Sequence, residues 1–129
     1  YQQVMVIEKM VQKLQLAVVL EMCPIIRETD GLAMSSRNVH LSPTERAQSL
    51  ALYQSLNHIK EGWGKKSVET LKQEAIEFLE KSPGIGLGYL EICTANNLQN
   101  NQPTNQSEAV ALVAASLGQT RLIDNILLP

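Results

Sequence analysis

The sequence predicts an α+β fold: a small antiparallel three-stranded sheet with helices, preceded by a helix-strand remnant of an α/β unit. Three observations carry this prediction. Capped segments with helical apolar spacing fill residues 42–81, three short β-rich segments follow them, and a lone helix-then-strand pattern comes first.

Val4, Ile7, Val11 and Leu14 recur at helical spacing and predict an amphipathic helix over residues 2–14. Ala17-Val18-Val19-Leu20 is short, apolar and β-branched at its centre, and reads as a buried strand ended by Pro24. Helix then strand is the tail of an α/β unit whose preceding strand is absent. Such a piece exposes apolar surface unless it packs on the rest of the chain or on a second copy. The chain starts at Tyr1, inside this helical pattern, so a piece of a longer protein is expected.

A charged loop with glycine and serines spans residues 25–41. Ser42-Pro43-Thr44-Glu45 then starts a helix, with Ser42 as N-cap, Pro43 in the first helical position and Glu45 completing a capping box. Leu52, Leu56, Ile59 and Trp63 continue it, and Gly62 and Gly64 stop it. Ser67 caps the next helix, whose apolar face is Val68, Leu71, Ala75, Phe78 and Leu79, and Ser82-Pro83-Gly84 ends it.

The period then changes. Residues 87–94, 109–115 and 120–127 read as strands, and Leu117-Gly118-Gln119-Thr120 offers a two-residue type II′ hairpin turn. Residues 96–107 are dominated by Asn and Gln and read as a solvated, mobile loop.

Composition excludes several classes. Hydrophobic residues at 44% fit a globular chain and not a disordered one. A net charge of −2 without a basic stripe argues against nucleic-acid binding. Apolar runs are too short to span a bilayer and no signal peptide is visible, so a cytoplasmic protein is expected. Cys23 and Cys93 are far apart and read as two buried, reduced thiols, with no metal-like pairing.

The most informative stretch is residues 27–41, which join a charged turn to Ser35-Ser36-Arg37. Two hydroxyls, backbone N–H groups and a planar guanidinium are what a loop needs to hold phosphate oxygens. On residue types alone, a capped surface turn is the commoner use of such a loop. Arg27, Glu28 and Asp30 likewise read as a solvated ion-pair cluster worth little.

Motif order adds to this. Tyr1-Gln2-Gln3 is similar to the end of Gly-x-Lys-Asp-x-Gln-Gln. Arg27-Glu28-x-Asp30-Gly31-Leu32-Ala33-Met34-Ser35-Ser36-Arg37-Asn38, then Tyr89-x-Glu91-Ile92, then Thr120-Arg121-Leu122-Ile123-Asp124-Asn125 follow. In order and spacing the series resembles the C-terminal portion of pantothenate synthetase (pantoate–β-alanine ligase), an adenylate-forming family. Two positions depart from its pattern: His40 stands where an aromatic Tyr is usual, and Cys93-Thr94-Ala95-Asn96 stands where an acidic residue often follows the strand.

The resemblance implies a division of the chain. Residues 1–25 would be the end of a Rossmann-like nucleotidyl-transferase domain, and residues 26–129 the C-terminal lid domain. It also implies site residues. Met34-Ser35-Ser36-Arg37 stands where related nucleotidyl transferases carry Lys-Met-Ser-Lys-Ser. Ser35, Ser36 and Arg37 would hold the ATP phosphates, Met34 would lie near the nucleotide, Ile26 would meet adenine through its backbone, and Gln3 would hydrogen-bond pantoate. ATP, pantoate and β-alanine are the implied small-molecule partners, with Mg²⁺ carried mainly by the phosphates and no protein metal site. The full-length protein is expected to be a homodimer. The family's His-x-x-His-like motif is absent here, and His40 and His58 read as structural or surface residues, so this chain alone is expected to be inactive. The competing expectation is a non-catalytic binding module that kept the scaffold.

Overall fold

A computed structural model describes residues 1–99 and 108–129. Its helical half begins at the capping box. The Ser42 hydroxyl accepts from the Glu45 N–H at 3.3 Å, and the Glu45 carboxylate accepts from the Ser42 N–H at 2.8 Å. The single helix expected from Ser42 onward forms as two, α2 (Pro43–Gln48) and α3 (Leu50–Gly62). At the break, the Ser49 hydroxyl donates back to the Arg46 carbonyl at 2.7 Å. A serine that bonds its own preceding turn competes with the helical ladder. The backbone at Ser49 stays in the right-handed helical region, so the path is disturbed and not reversed.

α4 (Val68–Lys81) starts where expected, with the Ser67 hydroxyl accepting from the Thr70 N–H at 3.1 Å. After Gly84 the chain forms β1 (Ile85–Thr94), β2 (Ala109–Leu117) and β3 (Thr120–Leu128). They make one antiparallel sheet in the order β1-β2-β3. Leu117 pairs with Thr120 across the two-residue turn. Gly118 there has φ +54° while Gln119 does not turn positive, which is the type II′ signature.

α3 and α4 pack on one sheet face. Leu52, Leu56, Ile59, Leu71 and Leu79 meet Leu90, Ile92, Val113, Leu117 and Leu122 in the main core. A fully buried leucine contributes about 1.5–3 kcal/mol, so this layer holds the fold. The opposite face carries a smaller cluster of Cys93, Val110 and Leu112, with Tyr1 and Tyr89 against it. α1 (Gln2–Lys13) lies by that face, tied by the Tyr1 hydroxyl donating to the Ala95 carbonyl at 2.8 Å, and none of its residues is buried.

Two expectations fail here. Residues 17–20 form no strand, and Val19 is 97% exposed. A β-rich run gains its ladder only from a neighbouring strand. Among the described residues this run pairs with no strand. The apolar surface at Leu16, Val18, Val19, Leu20 and Met22 therefore stays open, not packed on the remaining domain. Cys23 is exposed with the same segment, whereas Cys93 is buried as expected, and both are free thiols. Of the polar loop expected over residues 96–107, residues 100–107 lie outside the described residues. No described helix is long and apolar enough to cross a membrane.

Candidate functional site

The segment between α1 and α2 is a miniature hairpin. Arg27 and Ala33 form an antiparallel bridge, the Glu28 N–H donates to the Leu32 carbonyl at 2.8 Å, and the Met34 N–H donates to the Ile26 carbonyl at 2.9 Å. Gly31 turns it at φ +99° with its backbone against the Tyr53 ring, where a Cβ would collide. The hairpin sets Ile26 and Met34 side by side and delivers the chain to Ser35. The Ser35 hydroxyl accepts from the Arg37 N–H at 3.2 Å and starts a 3-10 turn, Ser36–His40. The Asn38 amide braces this turn by donating to the Ala33 carbonyl at 3.1 Å.

Arg27, Glu28 and Asp30 do not form the expected surface cluster. The Arg27 guanidinium donates to both carboxylate oxygens of Asp124, at 2.7 and 3.0 Å, and to the carbonyls of Gly31 and Asn125. It also lies over the Tyr53 ring, 4.3 Å from its centroid. Asp124 is buried on β3, and Arg27 is the cation that reaches it. Asp30 turns instead to Arg46 at 2.8 Å on the exposed side. Desolvation raises the Asp30 carboxyl, but the Leu32 N–H and the Arg46 guanidinium outweigh it and hold the group below its ordinary 3.8.

A cleft of about 970 Å³ lies where α1, the 3-10 turn, α2 and the β2–β3 hairpin converge. Gln3, Arg37, His40, Glu45, Tyr89 and Arg121 are among its lining residues. An adjoining cavity of about 260 Å³ is lined in part by Met34, Ser35, Arg37 and Arg121. The fold thus brings Gln3 and Arg37 to one cleft, and Met34, Ser35 and Arg37 to the next. Ser36 and Ile26 line neither, and the Ile26 side chain is 66% exposed.

Sequence reading missed Tyr89 and Arg121 as cleft residues; His40 is exposed, in keeping with its reading as a structural or surface residue, and also lines the cleft. The available signal was alternation along β3, where Arg121 and Ile123 are exposed between buried Leu122 and Asp124. His58 is elsewhere, on the exposed side of α3 with Nε2 2.7 Å from Glu74.

Charge in the cleft is unbalanced toward the positive. Arg37 and Arg121 make no ion pair among the described residues. Glu45 is the carboxylate on the lining, and its Oε2 is committed to the Ser42 N–H. The bond from the Ser42 backbone, then that from its hydroxyl, hold the Glu45 carboxyl below its ordinary 4.5. Neither Ser35 nor Ser36 hydrogen-bonds a histidine among the described residues. The arrangement suits holding and aligning an anion, not forming a covalent intermediate on the protein.

The family model for pantoate-beta-alanine ligase matches residues 1–127. The chain belongs to this family. Pantothenate synthetase of Syntrophomonas wolfei is 41% identical over 128 residues, which are 98% of this chain and 45% of that protein. The crystal structure of pantothenate synthetase from Thermus thermophilus superposes with a TM-score of 0.92 at 36% identity, covering 98% of this chain and 46% of that one. The structure of pantoate-beta-alanine ligase from Francisella tularensis, complexed with beta-gamma ATP and beta-alanine, gives 0.65 at 28% identity, covering 98% of this chain and 40% of that one. The chain spans somewhat under half the length of the relatives it matches. The three-stranded sheet and its helices are the α+β portion that the pantoate-beta-alanine ligases share with it.

Proposed function

We propose that the complete protein condenses pantoate with β-alanine in an ATP-dependent ligation that proceeds through pantoyl adenylate and releases pyrophosphate and AMP. The observation that carries this reading is the single cleft that holds Gln3 of α1 together with Arg37 of the Ser-Ser-Arg turn, in a chain of this family. The Francisella relative bound to a nucleotide and β-alanine supports the choice of substrates.

In the first step the pantoate carboxylate attacks the α-phosphorus of ATP, and the bond to pyrophosphate breaks. In the second the β-alanine amine attacks the acyl carbon of the mixed anhydride, loses a proton, and expels AMP. Neither step asks for a protein nucleophile. The work is alignment and stabilisation of charge on the transferring phosphoryl group. Arg37 offers a permanently charged fork to the phosphates, with the Ser35 and Ser36 hydroxyls beside it and Met34 next to the nucleotide. Ile26 meets adenine through its backbone, and Gln3 hydrogen-bonds pantoate. Among the described residues no group of three or more His, Cys, Asp or Glu side chains fits a metal ion. Mg²⁺, when bound, would be carried mainly by the ATP phosphates and water and would neutralise part of their charge.

Residues 1–25 serve in this reading as the end of the nucleotide-binding domain, and residues 26–129 as the lid that closes over the site and excludes water. The open apolar run at 16–22 supports the division, because it is what a strand looks like without its sheet. The complete protein is read as a cytoplasmic homodimer that binds no nucleic acid, and this chain alone as inactive.

AMP release tests the reading. The complete protein receives ATP and pantoate with and without β-alanine. AMP that requires both acceptor and donor substrates supports it, and no AMP with all three present refutes it. The 129-residue chain alone should release none.

A further inference from the structure

We propose that Arg121, at the head of β3, is a second guanidinium for the ATP polyphosphate, lining the same cleft as Arg37. The inference rests on the ligase reading for its substrate but on the geometry of this chain for its residue.

Arg121 and Arg37 both line the large cleft, and both line the smaller cavity that also contains Ser35 and Met34. They reach it from different elements, Arg37 from the 3-10 turn after the hairpin and Arg121 from the start of the strand after the β2–β3 turn. Among the described residues nothing neutralises Arg121. Its cross-strand neighbour on β2 is Ser116, and it makes no ion pair there. Glu45, the carboxylate on the cleft wall, has its Oε2 held by the Ser42 N–H of the capping box and forms no ion pair with Arg121.

Two unpaired guanidiniums facing one cleft repel each other, and an anion placed between them converts that repulsion into two attractions. A triphosphate carries several charges on oxygens spaced along a chain, which suits two separate forks. A single carboxylate suits one. Arg121 also sits on the rigid end of a paired strand, whereas Arg37 sits on a turn. The first is placed to hold a fixed point of the polyphosphate while the second follows the reacting group.

Two experiments test this. In the complete protein, Arg121→Ala and Arg121→Lys are compared with wild type in AMP release while ATP, pantoate and β-alanine are varied separately. KM for ATP should rise about tenfold or more in R121A, the scale of one charge-assisted hydrogen bond. R121K should fall between, because it keeps the charge and loses the fork. Constants for all three substrates within threefold of wild type would overturn the proposal. A rise confined to β-alanine would reassign Arg121 to the amino acid's carboxylate and overturn the phosphate role. Separately, inorganic tripolyphosphate is titrated into the complete protein and its R121A variant by calorimetry. Weaker binding in R121A is expected, and equal binding counts against the residue. Should the wild-type complete protein make no AMP, the ligase reading falls, and the tripolyphosphate titration still decides Arg121.

Discussion

Arg27 holds Asp124 with both arms of its guanidinium, at 2.7 and 3.0 Å, across 97 positions of sequence. The pair fastens the hairpin that carries the Ser-Ser-Arg turn to the strand that carries Arg121. Through it, both cleft arginines are referenced to the same rigid sheet. The Arg27 contact to the Gly31 carbonyl at 3.0 Å extends that fastening to the hairpin tip.

The two partners are not equally buried, which sets the order of their mutational costs. The Asp124 side chain is 4% exposed and that of Arg27 is 19%. Arg27→Ala leaves a buried carboxylate without its cation and should cost about 3–5 kcal/mol. Asp124→Ala leaves a guanidinium that water can partly reach and should cost about 1–3 kcal/mol. Urea denaturation of both variants checks the order, and D124A costing more than R27A would contradict the burial argument.

Gly31→Ala should destabilise by about 2–4 kcal/mol, combining left-handed backbone strain with overpacking. Its φ of +99° is costly for any L side chain, and the new methyl would meet the Tyr53 ring. Because Tyr53 also lies under Arg27, the displacement should reach the Asp124 pair. Shortening Tyr53 to Ala in the G31A background relieves the clash and not the strain. The double variant should therefore stay less stable than Tyr53→Ala alone, as read by thermal melting.

In the complete protein, Arg37→Ala should lower kcat by about 10²–10³, the usual scale for one lost transition-state donor. Its backbone N–H already starts the 3-10 turn through Ser35, so the variant keeps the loop and loses the charge. Pre-steady-state AMP formation measures it. A loss under threefold would remove Arg37 from the phosphate clamp.

Local rules made most of this fold legible. Ser42, Glu45 and Ser67 announce helix starts through hydrogen bonds to residues three positions away, Pro43 by its fixed φ in the first helical position, and both caps form. Gly118 announces its turn by φ alone. Two features escaped because their causes are distant. The run at 17–20 has strand composition, but its pairing depends on a neighbour that sequence pattern does not supply. Arg27 looked like a surface charge beside Asp30, and only the register of β3 shows that buried Asp124 is its partner. The same holds for the site. Ser35 and Arg37 stand out as a motif, whereas Arg121 and Tyr89 join them only because a hairpin and a strand end at the same cleft.

Acid should weaken the α2 capping box. Glu45 is held below its ordinary 4.5, so its carboxylate contributes fully above that value and the contribution is lost as pH falls through the lowered one. Glu45→Ala removes the contribution at every pH. The melting-temperature gap between wild type and E45A should be widest near neutrality and should narrow below 4.5. A gap that grows on acidification would reverse the sign and reject the assignment.

Stability should be distributed unevenly along the chain, and amide exchange will show it. β2 is central in the sheet and buried along all of its length but Ser116, so its amides open only with global unfolding. A global stability of about 5 kcal/mol corresponds to slowing of roughly 10³–10⁴ there. α1 has no buried residue, and the segment after it leaves Val18, Val19 and Leu20 open. A short helix without a packed face is marginal in water. The amides of Gln2–Lys13 should therefore exchange nearly as fast as a frayed end, while those of β2 persist. In the complete protein the same amides should slow once a sheet covers residues 16–22. Strong protection of α1 in the 129-residue chain, with a molecular weight matching a monomer, would mean that this helix is held by contacts other than the Tyr1 bond to Ala95.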